Sequence, residues 1–311
     1  MKRDELIIAV YLLVCEHMKA LQSQWPRRGP LQQPRLRGGG FAPDLSDEEA
    51  LTIELCGEMF RLRTDKSLYA YFDSHWRDFF PRLPCRTSFV RQCANLWQVK
   101  QHLTQHLAQQ MDAFQAVVQP VDTMPLPVCA RARARRDRCF ADVARVGFCA
   151  AKNLFYYGFK LGLRITPTGF ITQATLLQAN THDCRHLPAL VEGHRGLAPV
   201  DKGFFDPTCW RLLVRQGVHV VGRGPRKVAH TAPAELEVER PLARACHRIR
   251  KLIETVGAHL CERFGVDEIR VRDLWHFQHR LGRKILAHNL LVTLNLQRGR
   301  PPLDFDALVG D

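Results

Sequence analysis

The sequence predicts a mixed α/β sheet flanked by helices and preceded by an all-helical N-terminal region. Three observations predict it. Up to about residue 115, apolar residues recur at helical spacing and helix-start signals precede them. Near residue 116 the texture changes, and "FQAVVQPVDTMPLPVC" is apolar, β-branched and punctuated by proline. Beyond it, hairpin strands give way to alternating helix and strand, the order that covers a sheet with helices.

The elements follow in chain order. Residues 4–22 and 46–62 read as helices, the second opened by Ser46 with Glu49 three residues on, a capping box. Between them, "QWPRRGPLQQPRLRGGGFAPD" is rich in Pro, Gly and Arg and reads as an exposed linker. Further helices are expected over 64–80 and 86–112. Within the latter, "PCRTSFVRQCANLWQVK" resembles the second half of a helix-turn-helix and offers Arg86, Arg91 and Lys100 to phosphates; an ordinary basic helical bundle is the other reading. "YYGFKLGLRITPTGFITQATLLQAN" predicts two strands around a turn at 167–169. A helical stretch "RHLPALVEGH", a short strand ending at Asp201, the helix "DPTCWRLLVRQG" and the strand "VHVVGR" come next. A long helix starts at Pro241 and stops before Gly265.

Charge and cysteine usage narrow the function classes. The 45 Lys and Arg against 31 Asp and Glu leave a net charge of +14, which favours a polyanionic partner such as nucleic acid or an anionic surface. The longest apolar run, residues 6–15, is shorter than the roughly 20 residues that span a bilayer, so no membrane partner and a cytoplasmic location are expected. Eleven cysteines show no C-x-x-C spacing, which predicts reduced, mostly buried thiols rather than a zinc or disulfide framework. The His-bearing stretches "NTHDCRH" and "QHLTQH" each lack a second half for a zinc site.

Two aspartates occupy equivalent places. Asp122 follows "VVQPV" and Asp201 follows "LAPV", each a carboxylate after a short apolar strand. On neighbouring strands both would project from one sheet edge, and paired oxygen ligands suit Mg²⁺ or Mn²⁺; either alone reads equally as a solvated strand end. In the long helix, Ile249, Leu252, Ile253, Val256 and Leu260 share one stripe that packs on the sheet. His247, Arg250, Glu254 and Cys261 share a second stripe, where Arg250 and Glu254 also read as a plain i,i+4 ion pair.

Together, "VDTMPLPVC", "YYGFKLGLRI", "PVDKGFFD" and the glutamate helix resemble bacterial insertion-sequence transposases of the DDE type, over essentially the whole chain. The resemblance implies a ribonuclease-H-like catalytic domain with Asp122, Asp201 and Glu254 as catalytic and metal-binding residues. Spacings of 79 and 53 residues between the acids leave no room for a large inserted domain. Many such transposases carry tyrosine, arginine, glutamate and lysine where this chain has His247, Arg250, Glu254 and Cys261. The lysine position is associated with transposon-end contact, and Lys251, Arg263 or Lys202 are the residues available in its stead. Implied cofactors are Mg²⁺ or Mn²⁺, two ions in all, and implied partners are the element's terminal inverted repeats and target DNA, handled by a homodimer or larger complex.

The domain organisation implied is 1–115 for a helical DNA-binding region, 116–298 for the catalytic domain and 299–311 for a tail. Candidate DNA contacts are Arg250, Lys251, Lys202, Lys160 and Arg91. The run 130–140 adds Arg131, Arg133, Arg135 and Arg136 just after the first aspartate's strand, with a merely solvated loop as the alternative. The activity implied is cutting of element ends and joining of the 3′-hydroxyl to target DNA. A DNA-binding descendant without activity, and a metal-dependent nuclease of the same fold, are the alternatives.

Overall fold

The computed structural model describes residues 1–24, 43–149, 153–222 and 240–309. Most of the linker at 25–42, and the stretch 223–239 before the long helix, lie outside the described residues. The described chain packs into two compact units. One comprises described parts of Met1–Met111, Glu262–Gly265 and Trp275–Asp311, the other of Asp112–Cys261 and Val266–Leu274.

The helical unit holds α1 (Arg3–Gln24), α2 (Asp47–Met59), α3 (Asp65–His75), α4 (Arg86–Asn95) and α5 (Trp97–Gln110), joined by most of α9 (Leu274–Gln297). The capping box at α2 forms as expected: Ser46 Oγ accepts from the Glu49 amide at 3.1 Å, and the Ser46 amide donates to Glu49 Oε2 at 2.7 Å. A second box, Thr64 with Ser67, opens α3. The stretch 86–112 is two helices, not one. It breaks at the fully buried Leu96, and Lys100 donates to the Cys93 carbonyl at 2.8 Å beside the break. The helix-turn-helix reading finds no matching turn among the described residues. Residues 76–85 separate α3 from α4 and Leu96 alone separates α4 from α5, whereas the motif uses a turn of about three or four residues. The apolar run 6–15 sits inside α1, of which Arg3–Ser23 is long and apolar enough to cross a membrane, with a mean hydropathy of 1.4 and 44% of its apolar window buried. Its buried side chains, Leu6, Ile7, Val10 and Val14 among them, accompany packing on α2 and α5.

α9 buries an apolar face that includes Phe277, Leu286, Leu290 and Leu291, and it also brings charge to these helices. Glu54 and Glu58 of α2 are almost fully buried, 0% and 1% exposed, and burying such ions without partners costs several kcal/mol each. Arg283 Nη1 donates to Glu54 at 3.1 Å and to Asp65 at 2.9 Å, its Nε donates to Glu58, and Lys284 donates to Glu58 at 2.6 Å. Lys100 pairs with Glu54 as well. The expectation that 116–298 forms one region therefore meets a different grouping, in which Trp275 onward packs with the N-terminal helices.

The sheet unit contains β1 (Val121–Ala130), β2 (Arg145–Cys149), β3 (Leu154–Ile165), β4 (Ile171–Gln178), β5 (Gly196–Pro199) and β6 (Val218–Val221). With them are α6 (Leu187–Leu190), α7 (Pro207–Arg215) and α8 (Arg240–Glu262) up to Cys261. β3 pairs antiparallel with β1, β2 and β4, and the β3–β4 turn has Gly169 at φ 82°, where glycine avoids the Cβ clash. β5 and β6 pair in parallel, and Val118, three residues ahead of β1, forms a parallel bridge to Leu197 of β5. That bridge sets the parallel β5–β6 pair beside the antiparallel β4-β3-β1 strands, which gives the mixed α/β arrangement expected from the sequence. β2 extends it beside the other end of β3. One face is sealed by Leu187 and Leu190 of α6 and Trp210 and Leu213 of α7, packed with Val121, Ala198 and Val220 of the strands. Pro207 at N1 and Asp206, which accepts from the Thr208 and Cys209 amides, start α7.

Candidate active site

The parallel bridge sets the site. Asp122 lies four residues beyond Val118, and Asp201 lies four beyond Leu197, so the bridged pair carries both aspartates toward the same edge. Asp201 lies just past a strand, as the sequence suggested, but Asp122 lies inside one. Asp122 is the second residue of β1, and Asp201 follows β5 by two residues and precedes a short 3₁₀ turn, Lys202–Phe204. Side chains alternate along a strand. Val121 enters the core under α6 and α7, while Asp122 emerges on the opposite face, where Arg250 of α8 meets it.

α8 places its residues by its own periodicity. Ile253, Val256 and Leu260 are buried at 3% exposure or less, with Ile249 and Leu252 partly buried beside them, as the apolar stripe requires. On the neighbouring stripe, Arg250 is only 15% exposed and reaches two acids. Its Nη1 lies 3.7 Å from Asp122 Oδ2, and its Nη2 donates to Glu254 Oε1 at 3.3 Å. The i,i+4 ion pair expected on the surface is therefore half of a bridge whose other half crosses to the sheet.

Asp122 is short of positive charge. Burial pushes its carboxyl up to about 6. The Thr123 amide, donating to Oδ1 at 2.7 Å, and Arg250 pull it down, while the negative charges of Asp201 and Asp183 push it up. Oxygen-only carboxylate donors with unbalanced negative charge fit a hard divalent cation. Among the described residues no group of three His, Cys, Asp or Glu side chains converges on one point, since Arg250 stands between Asp122 and Glu254. Two clefts flank the acids. An apolar one of about 490 Å³ runs along Asp122, Met124, Tyr156, Gly257 and Cys261. A basic one of about 730 Å³ is lined by Asp201, Lys202, Arg244, His247, Arg248 and Arg250.

The other sequence candidates divide. Lys202 and Lys251 are exposed, Lys202 in the basic cleft. Arg131, Arg133, Arg135 and Arg136 are exposed on the short 3₁₀ helix after β1, with Arg131 over the Phe155 ring at 4.8 Å. Arg91 is exposed on α4 in the helical unit. Lys160 points inward instead. It donates to Asp183 Oδ1 at 2.8 Å and to the Thr181 carbonyl at 3.0 Å, so its charge is met within the protein. His182 and Cys184 touch at 3.2 Å, with no third metal-binding side chain beside them among the described residues. Arg244 and Arg248 were missed although their spacing along α8 from Lys251 and Arg250 was available. Asp183 was seen only as part of "NTHDCRH", because its partners lie 60 and 23 residues away.

A family model described as a transposase DDE domain matches residues 96–274. No curated protein matches the chain. Among solved structures, the cryo-EM structure of a piggyBac transposase synaptic complex with hairpin DNA aligns with a TM-score of 0.48 at 10% identity, covering 96% of this chain and 76% of that one. The chain belongs to the transposase DDE domain family, polynucleotidyl transferases that act on DNA and generally use divalent metal ions.

Proposed function

We propose that this transposase cuts the ends of an insertion element and joins the freed 3′-hydroxyl to target DNA, with Asp122, Asp201 and Glu254 holding two Mg²⁺ or Mn²⁺ ions. The observation that supports it most is the Val118–Leu197 bridge, which carries two aspartates to one edge beside Arg250 and Glu254. Bound divalent ions supply activation of water or a 3′-hydroxyl and stabilise the leaving oxygen of an in-line displacement. The chain's part is positioning. The Thr123 amide fixes one oxygen of Asp122 and leaves the other facing Arg250. Arg250, once turned from the acids, presents a planar fork matched to a phosphate.

The basic cleft with Lys202, Arg244 and Arg248 takes the DNA backbone near the acids. Arg131, Arg133, Arg135, Arg136 and Lys251 add exposed charge on the same unit, and Arg91 on the helical region, which we assign to DNA binding. Two element ends must be processed together, so the working form is a homodimer or larger complex on DNA, in a bacterial cytoplasm.

The test is Mg²⁺-dependent cleavage and joining of labelled DNA carrying the element's inverted repeats. Wild type should give joined product. Asp122→Asn, Asp201→Asn and Glu254→Gln should each lose it while still retarding DNA in gels. A variant that keeps its activity loses its place as a ligand. Cleavage without joining would indicate a nuclease, and binding alone a descendant that no longer catalyses.

A further inference from the structure

Asp183 joins four pieces of chain that the sequence keeps apart. Its Oδ1 accepts from Thr123 Oγ1 at 2.9 Å, the residue next to Asp122, and from Lys160 Nζ at 2.8 Å on β3. Lys160 also ties down the Thr181 carbonyl, two residues before Asp183. The other oxygen, Oδ2, faces Gly203, two residues after Asp201. A Cβ added there would stand 3.0 Å from that oxygen, closer than ordinary contact. The carboxylate thus rests against the segments bearing both aspartates, and a neighbouring ammonium balances its own charge at a side-chain exposure of 29%.

We propose that Asp183 is a positioning residue of the acid site: pinned by Lys160 and Thr123, and packed against Gly203, it holds the Asp122 and Asp201 segments at the separation that a divalent cation requires. It rests on the reading of Asp122 and Asp201 as ligands. Asp183 is not itself a ligand, because Oδ1 is taken by two donors and Oδ2 faces Gly203. Residues that orient metal ligands through hydrogen bonds change metal affinity by about 10–100-fold when removed.

The experiment measures Mn²⁺ binding alone, by electron paramagnetic resonance, together with the melting temperature of each metal-free variant. Asp183→Ala should weaken Mn²⁺ binding by about 10–100-fold. Asp183→Asn keeps an oxygen that accepts from both Thr123 and Lys160, so it should stay near wild type. Thr123→Val, which leaves Asp183 in place, should weaken binding, and should add little on top of Asp183→Ala, since both remove one interaction. Unchanged Mn²⁺ affinity in Asp183→Ala, whatever its melting temperature, overturns the inference. Asparagine failing as fully as alanine also overturns it, because the carboxylate would then act as a ligand. Asp122→Asn is the control. If it binds Mn²⁺ as tightly as wild type, the ligand reading itself falls, and the Asp183 inference with it.

Discussion

Glu54 in the helical unit and Asp122 in the sheet unit are both carboxylates drawn away from water, and burial pushes both upward. Their outcomes are opposite. Around Glu54, Lys100, His279 and Arg283 more than reverse the effect of burial and hold the carboxyl well below the usual range. Around Asp122, one guanidinium at 3.7 Å, shared with Glu254, faces the added repulsion of Asp201 and Asp183, and the carboxyl is left at about 6. The helical unit has cations in surplus where its acids are buried, and the sheet unit has too few. A finished ion network is architecture; the unfinished one around Asp122 is where we propose that a cation from outside binds.

The contrast breaks first at Arg283. Removing it as Arg283→Met leaves Glu54, Glu58 and Asp65 short of a partner in the dry interior, and should cost about 3–5 kcal/mol in denaturant unfolding. Arg250→Met removes a guanidinium that bridges a partly buried and an exposed acid, and should cost under about 1 kcal/mol. Equal losses would erase the distinction between the two regions.

Acid sharpens the same contrast. Glu54 is depressed in the folded state, so its contribution to stability is complete above its unfolded value and is lost as pH falls through the folded one. The helical unit should keep its circular dichroism through the ordinary carboxylate range and lose it only below that. Unfolding centred on the ordinary range would show that Glu54 is not held by its cations.

The smallest effect concerns Asp122 itself. A carboxyl raised to about 6 is ionised above that pH and protonated below it, and a metal must displace the proton. Mn²⁺ affinity should be level above about pH 6 and fall by about tenfold per unit beneath it. Affinity that stays level down to pH 4.5 would place the metal elsewhere.

Much of this was legible because it is local. The Ser46 capping box, the Thr166–Phe170 turn between β3 and β4, and the buried stripe of Ile253, Val256 and Leu260 each depend on neighbours within a few residues. Asp201 could be singled out because a carboxylate after apolar strand residues is costly inside a core, and Asp122 because it stands in the equivalent place. What escaped depends on pairings across long stretches of chain. The break at Leu96, the strand Arg145–Cys149 on β3, the bridge from Arg250 to Asp122 and the four-way junction at Asp183 leave no periodic trace. Lys160 shows the cost of that blindness: by type it suits a phosphate, but the fold gives it Asp183.

The partnership of α2 with α9 bears on how the protein is made. A ribosome delivers Glu54 and Glu58 more than 200 residues before Arg283 and Lys284, which neutralise them. Until then the helices emerging first carry acids with too few counter-charges to bury, and Lys100 alone can reach Glu54. The sheet unit, from Asp112 to Leu274, is wholly synthesised before α9 is complete. Glu54 and Glu58 therefore gain their full set of partners only once the last long helix has been made.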